Sequence, residues 1–371
     1  MPVPFTRLEA EARDSYGSKN AFDLVAQSDG IVAYLGSREA ITFEDGGQPD
    51  FRERLMYGYN TNIGHRGKGA QIPTIDDEGF TLASVPQKVL DGSIVYNQIE
   101  LDQVRGNPAI APGLIADKIR QFNPSWVRNI AIALRQATPG ANDPYSILPS
   151  GTTGTVDGIL VARTPAQQVS DAATTAGILR SETVSIGGET IRWWANQYSN
   201  TSFDLTTVAG RRGLHLNVYL PCVRGAGKLW EPDFGIAHSI VLSSLGAGDD
   251  ALRRYSVDDR TLKLGFENIV FHNATVIRDP SARFANAAGT AAKIAFFNSR
   301  ALKLKVLRGT GKVTKEMMTE DNNLKSLPIF WKNGNQAESD IDSLNWVSVG
   351  YLCYNIVPMS LMDHGLADNC T

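Results

Sequence analysis

The sequence predicts an α+β protein, and three observations support this fold class. The 34 glycines and 17 prolines make 51 of the 371 residues, slightly above the usual share of about 12%, which favours many turns over a bundle of long helices. One sustained helical pattern occupies residues 111–138, and β-like apolar runs recur from residue 262 to residue 357. At roughly 100–200 residues per domain, the length predicts two or three packing units.

The first fifty residues show no sustained hydrophobic period. Thr6 and Glu9 have the spacing of a capping box, which predicts a short helix through about Arg13. Single apolar residues then alternate with glycines as far as Gly47. We therefore expect this segment to be an arm that lies on another surface rather than building a core of its own.

The segment from Leu55 to Arg105 has the pattern of an extended β excursion. Tyr57 to Gly69 is glycine-rich and basic, which is typical of an exposed stretch. Asp91-Gly92 is a strong two-residue hairpin signal, and apolar residues alternate with polar ones after it. A long ribbon with a polar second face cannot bury much of itself, so we expect it to pack on a neighbour such as another copy of the chain.

Ala111 to Thr138 is the clearest helical region, because its apolar residues recur every three or four positions. The stripe comprises Ile115, Ile119, Phe122, Trp126, Ile130, Leu134 and Ala137. Pro124 fits the first position of a second helix in the same phase, so the pattern allows one kinked helix or two collinear helices. The ordinary interpretation of Trp126 is a core residue.

The remainder of the chain is rich in turns and strands. Three regions are predicted to be β: 262–277, 294–307 and 346–357. Ile236 to Leu242 is a candidate buried strand. Residues 211–225 are ambiguous between helix and strand because Pro221 interrupts them.

Charge and motifs argue against several functional classes. The net charge is −3, whereas a protein that grips nucleic acid carries a clear basic excess. The three cysteines show no CxxC spacing, and the sequence lacks a nucleophile elbow, an HExxH motif and a P-loop. Asp233-Phe234-Gly235 spells the kinase metal tripeptide without its companion motifs. We therefore predict no catalytic, cofactor-binding or metal-binding residues and no membrane span.

The order of several segments resembles that of the major capsid proteins of tailed double-stranded-DNA phages, the Hong Kong 97-like family. These segments are Gly154–Ile159, Trp193–Gln197, Glu231–Phe234, Ile240–Ser244, Leu264–Phe271, Val276–Asp279, Ile294–Val306 and Val349–Val357. The pair Leu264–Phe271 and Val276–Asp279 resembles the family's most recognisable strand pair. The chain departs from the pattern at Asn273-Ala274, where many relatives have glycine before the valine.

The resemblance implies a Hong Kong 97-like architecture in five segments. They are an N-terminal arm (1–54), an extended β-hairpin loop (55–110), a first part of the peripheral domain (111–214) with a spine helix (111–138), an axial domain (215–290) and a second part of the peripheral domain (291–371).

The implied function is that of a structural protein that self-assembles into the icosahedral head enclosing phage DNA. The implied partners are other copies in hexamers and pentamers, a scaffolding protein, a portal and decoration proteins, with only non-specific contact to packaged DNA. Such a protein needs no cofactor, is assembled in the host cytoplasm and resides in the virion. Two alternatives stay open: an encapsulin-like nanocompartment shell, and an enzyme with scattered catalytic residues.

Four residues are candidates for contacts between subunits: Arg66, Lys68, Tyr96 and Trp126. Some relatives join the extended loop to a neighbouring subunit by a Lys–Asn isopeptide bond, and Lys68 lies in the exposed stretch of that loop. Nothing marks an acceptor, since Asn333 and Asn335 have the setting of an ordinary polar turn. We therefore expect non-covalent shell stability.

Overall fold

The computed structural model describes residues 30–37, 40–45, 48–58, 79–97, 125–136, 138–148, 158–164, 167–168, 172–186, 189–223, 231–249, 268–279, 291–308, 330–335 and 345–371. The helices are α1 (Gly30–Ser37), α2 (125–134), α3 (Val208–Leu214) and α4 (Ser239–Asp249). The strands are β1 (Ile41–Asp45), β2 (Asp50–Met56), β3 (Phe80–Pro86), β4 (Lys88–Asn97), β5 (Thr174–Thr175), β6 (Ile178–Leu179), β7 (Thr183–Ile186), β8 (Glu189–Arg192), β9 (Gln197–Ser199), β10 (Phe234–Ala237), β11 (Asn268–Phe271), β12 (Ala274–Arg278), β13 (Ala292–Phe297), β14 (Leu302–Arg308), β15 (Phe330–Asn335), β16 (Asn345–Pro358) and β17 (Gly365–Cys370).

A five-stranded sheet is built around the long strand β16. Strand β14 pairs antiparallel with the later part of β16, and β15 pairs with its earlier part on the same side. Strand β4 runs antiparallel along the opposite side, from Lys88 opposite Tyr354 to Asn97 opposite Asn345. Strand β1 extends the sheet in parallel beside β14.

The prediction of a hairpin turn at Asp91-Gly92 is wrong. Both residues lie in the middle of β4, opposite Tyr351 and Gly350 of β16. A local turn signal competes here with ten residues of ladder pairing to a strand about 260 positions away, and the long ladder prevails. The hairpin of this region is formed by β2 and β3, which pair antiparallel from Asp50 opposite Pro86 to Met56 opposite Phe80.

Part of the segment predicted to be an arm is described, and it packs against the main core of the chain. Ile31, Val32 and Leu35 of α1 are at most 3% exposed and belong to the main core. Strand β1 is an integral edge of the five-stranded sheet. An eight-residue helix and a five-residue strand are too short to show a sustained hydrophobic period in the sequence. The predicted capping box at Thr6 and Glu9 lies outside the described residues.

A second sheet has six strands in the order β11-β12-β10-β13-β17-β9. The described part of the predicted strand pair is confirmed by the antiparallel pairing of β11 with β12 around His272 and Asn273; residues 264–267 lie outside the described ranges. The candidate strand at Ile236 to Leu242 is only partly right, because β10 ends at Ala237 and α4 begins at Ser239. The sheet draws strands from positions 197 to 370, so it crosses the segment boundaries that the resemblance implies.

Residues 211–225 resolve as helix as far as they are described. Thr207 caps α3, since its hydroxyl accepts the N–H of Gly210 at 3.1 Å. A π-helical turn over His215–Tyr219 and a 3-10 turn over Leu220–Cys222 continue it. Pro221 sits in the first turn of that 3-10 segment, where no N–H is needed from it.

Helix α2 carries the described part of the predicted stripe. Trp126 is 3% exposed, and Ile130 and Leu134 are fully buried; residues 111–124 lie outside the described ranges. Just after the helix, Arg135 Nε donates to the buried Asp279 at 2.6 Å, which ties α2 to the end of β12.

No helix among the described residues is long and apolar enough to cross a membrane.

Candidate assembly surface

The β2–β3 hairpin has one buried face and one exposed face, as strand alternation requires. The inner face consists of side chains that are at most 6% exposed: Phe51, Leu55, Ala83 and Val85. On the outer face, Met56, Phe80 and Leu82 are 63%, 51% and 50% exposed. The hairpin therefore carries apolar side chains on both faces, and the described residues of the chain cover only one of them.

The outer side chains form a continuous patch at the far end of the hairpin. Met56 lies directly opposite Phe80, and Arg54 lies directly opposite Leu82. The Arg54 guanidinium sits 4.4 Å from the centroid of the Phe80 ring, a cation–π contact that stabilises by about 0.5–1 kcal/mol at an exposed site. We call Arg54, Met56, Phe80 and Leu82 the hairpin patch.

The composition of the hairpin patch is that of a protein–protein contact, because aromatic residues, Met and Arg are enriched at interfaces. Fully burying a Met, Phe or Leu side chain stabilises by about 1.5–3 kcal/mol. Since each of the three apolar side chains still exposes half or more of its surface, covering it would contribute roughly 1 kcal/mol per side chain. Grouped exposure of this kind marks interaction sites, whereas scattered single residues do not.

Charge on the outer face is graded along the hairpin. Arg52 and Arg54 lie toward the patch. Asp50, the one carboxylate among the outer positions of β2 and β3, sits at the root and accepts a hydrogen bond from Ser84 Oγ at 3.2 Å. A surface that covers the hairpin patch should therefore be apolar with acidic side chains at its rim.

Two buried polar side chains of the five-stranded sheet hold the hairpin at its root and at the middle of β2. Lys305 of β14 is 1% exposed, and its Nζ pairs with the carboxylates of Glu44 and Glu53. Asn355 of β16 is fully buried, and its Nδ2 donates to the Pro86 carbonyl at 2.7 Å. Glu44, Glu53, Lys305 and Asn355 are called the root cluster below.

The hairpin also contacts the body of the chain along its length. The Ser84 N–H donates to the Ala176 carbonyl at 3.0 Å. Just beyond β2, the Tyr57 ring stacks on Trp193 with centroids 5.3 Å apart and planes 16° apart. These contacts hold the inner face in place, and within the described part of the chain they leave the outer face open.

No protein-family model and no curated protein matches the sequence. Among solved structures, the chain is similar to the capsid asymmetric unit of cyanophage A-1(L), with a TM-score of 0.53 over 90% of this chain and 91% of that chain. The chain has the Hong Kong 97-like fold. The sequence identity is 12%, so the similarity concerns the fold alone.

Two further solved structures each align with 91% of this chain, at 10% sequence identity and a TM-score of 0.49. One is the capsid of a native GTA particle, of which 90% is covered. The other is the holo-SrpI encapsulin complex from Synechococcus elongatus PCC 7942, of which 87% is covered.

The four residues that the sequence predicts to contact neighbouring subunits differ in their positions. Arg66 and Lys68 lie outside the described residues. Tyr96 lies in β4 opposite Trp346 of β16. Trp126 is 3% exposed and lies in the main core of its own chain, so it has almost no surface to offer a neighbouring subunit. It is therefore a core residue rather than a contact between subunits.

The isopeptide acceptor candidates also need correction. Asn333 and Asn335 do not lie in a polar turn but in β15, opposite Ser348 and Trp346.

Within the described ranges, no group of three or more His, Cys, Asp or Glu side chains is arranged to hold a metal ion.

Sequence reasoning missed the hairpin patch, although a signal was present. Phe80 and Leu82 are apolar at one parity of β3, and Ala83 and Val85 are apolar at the other. A strand that is apolar at both parities is expected to be covered on both faces. The tertiary structure shows that the chain itself covers one of them.

Proposed function

We propose that the protein is the structural subunit of a tailed-phage capsid, which self-assembles into the icosahedral head around double-stranded DNA. The observation that carries this proposal is the hairpin patch, an uncovered apolar surface on a chain with the fold of a capsid subunit. Its role is structural rather than catalytic, and its location is the virion shell.

A second copy of the chain is the natural cover for the patch. The hairpin patch contains Arg54 beside its apolar side chains, so two copies of the patch facing each other would bring like charges together. The cover is therefore a different surface of the neighbouring subunit, and the contact joins two different surfaces of identical subunits. Such a heterologous contact generates rings when the rotation closes. Hexamers and pentamers are closed rings of this kind.

The size of the complete interface should be that of an obligate assembly, above roughly 2,000 Å². The hairpin patch supplies only part of this area, and further parts of the chain supply the rest. We propose that the six-stranded sheet with α3 and α4 forms the axial domain and that the five-stranded sheet with α2 forms the peripheral domain. A scaffolding protein, a portal and decoration proteins would complete the head.

Electron microscopy of the purified protein, expressed with a scaffolding protein if required, tests the proposal. The wild-type chain should form closed shells of hexamers and pentamers. The double variant Met56→Ser with Phe80→Ser should remain as small soluble species with an unchanged circular dichroism spectrum. Small species alone for the wild type under all such conditions would overturn the proposal.

The matched control keeps most of the apolar area and removes the Phe80 ring together with its contact to Arg54. Met56→Leu with Phe80→Leu should still assemble, because burial of apolar surface is roughly proportional to area rather than to residue identity. Equal assembly of the serine and leucine variants would show that the hairpin patch is not an interface. Wild-type shells that hold a protein cargo and no phage DNA would favour the encapsulin-like alternative.

A further inference from the structure

The root cluster grips both strands of the hairpin from the five-stranded sheet. Lys305 holds β2 through Glu53, and Asn355 holds the end of β3 through the Pro86 carbonyl. Lys305 and Asn355 are direct cross-strand neighbours in β14 and β16. The two contacts therefore start from one point of the sheet; one reaches the base of the hairpin at Pro86, and the other reaches the middle of β2 at Glu53, which lies opposite Ala83.

We infer that Lys305 and Asn355 are positioning residues that set the angle at which the β2–β3 hairpin leaves the five-stranded sheet. Through that angle they determine where the hairpin patch meets the neighbouring subunit. The inference rests on the proposed function, because it assigns a purpose to the placement of the patch. Under this inference, the residues that influence shell curvature lie where the hairpin joins the five-stranded sheet, and not in the contact between neighbouring subunits.

Stability alone is a poor reason for a buried lysine at this place. Removing charged groups from water is costly, and a well-packed apolar group of similar volume often stabilises as much or more. Charged contacts are directional, so what they add is a defined geometry. Lys305 is shared between Glu44 of β1 and Glu53 of β2, which fixes the hairpin relative to the edge of the sheet.

Asn355 adds a second fixed direction. Its Oδ1 accepts the Tyr145 N–H at 2.8 Å while its Nδ2 donates to Pro86. The amide thus joins the hairpin root to the loop that follows α2. With both ends of the amide bonded, Asn355 cannot turn without losing a buried hydrogen bond.

The part of the hairpin beyond Glu53 transmits small changes of angle to the hairpin patch. Three residue steps separate Glu53 from Met56, which is about 10 Å at roughly 3.3 Å per residue. A tilt of about 5° at Glu53 would shift Met56 by roughly 1 Å. Close-packed surfaces register displacements of this size, so the root angle should influence how neighbouring subunits are inclined to each other.

The two carboxylates on Lys305 provide a matched pair of variants. Glu53→Gln and Glu44→Gln make the same chemical change and each leaves one carboxylate on Lys305, so both should fold. Only Glu53 belongs to the hairpin. If the cluster only stabilises the subunit, neither variant should change the shell diameter, whereas a positioning role predicts that only Glu53→Gln changes it.

Hydrogen exchange of the unassembled subunit is the first measurement. The reporter is the Ser84 amide, whose bond to Ala176 breaks when the hairpin leaves the body. Glu53→Gln should raise its exchange rate about tenfold, since a hydrogen bond to a charged group is weakened, while Glu44→Gln should leave the rate within about twofold. Shell diameters from electron microscopy are the second measurement, and only Glu53→Gln should broaden their distribution.

The two measurements separate failure of the inference from failure of the proposed function. Equal effects of Glu53→Gln and Glu44→Gln on both exchange and diameter would overturn the positioning role. If the wild type forms no shells, the proposed function fails. The exchange of Ser84 then still decides whether Glu53 fixes the hairpin, and unequal exchange with equal diameters would show that the root does not control curvature.

Discussion

Arg180 is a buried cation whose hydrogen-bond partners are all neutral. Its Nε donates to Thr175 Oγ1 and its Nη1 to Asn196 Oδ1, both at 2.9 Å. Its Nη2 donates to the carbonyls of Gly158 and Ile159 at 2.7 and 3.0 Å. The side chain is 2% exposed, so the guanidinium joins three segments of chain inside the protein.

Burial, with a smaller contribution from the nearby positive charge of Arg163, lowers the pKa of Arg180 to about 9. The lowered pKa shows that the charge is held at a cost, which the four hydrogen bonds must outweigh. A hydrogen bond to a charged group stabilises by about 1.5–3 kcal/mol net, and a buried polar atom left without its partner costs about 1–3 kcal/mol. We therefore expect Arg180→Met to lower the free energy of unfolding by about 3–5 kcal/mol.

Urea denaturation of the unassembled subunit, followed by fluorescence, measures this change. Arg180→Lys should lose roughly half as much, because an ammonium supplies three donors instead of the planar fork of five. The control is Arg128→Met on the exposed side of α2, which should stay within about 0.5 kcal/mol. Wild-type stability in Arg180→Met would refute the reasoning, because it would mean that desolvation cancels all four hydrogen bonds.

Three further predictions concern single positions. Trp126→Ala should cost about 3–5 kcal/mol in chemical denaturation, whereas Ile132→Ala on the exposed side of the same helix should stay within about 1 kcal/mol; equal losses would contradict the core assignment. Gly177→Ala should cost about 1 kcal/mol in thermal denaturation, because its φ is +81° while the space around a Cβ is open, and an unchanged Tm would argue against that backbone. Boiled particles should run on a denaturing gel as a single monomer band, and a ladder abolished by Lys68→Arg would instead show covalent crosslinks.

Elements whose pattern is local and long enough could be predicted from the sequence. The stripe through Trp126, Ile130 and Leu134 identifies α2 because every turn of a helix repeats the same buried face. The strand pair β11–β12 is readable because a short turn joins two apolar runs. The order of such segments was sufficient to predict the Hong Kong 97-like fold, although no protein-family model matches the sequence.

Features that depend on distant pairing could not be predicted. Asp91-Gly92 has the composition of a turn, but its conformation is decided by β16, which lies about 260 residues away. The short helix α1 gains its stability from the core that it joins rather than from its own sequence. Its burial is therefore invisible until the sheets are assembled.

The same distinction between local patterns and distant pairing applies to the candidate site. Sequence by itself determined the fold class, the main helix and the expectation that the segment from Leu55 to Arg105 needs a neighbour. Only the tertiary structure decided which face of the β2–β3 hairpin stays uncovered and that Lys305 meets Glu44 and Glu53. Strand alternation assigns side chains to two faces but does not say which face the rest of the chain will cover, and residues more than 250 positions apart meet only after the sheets have formed.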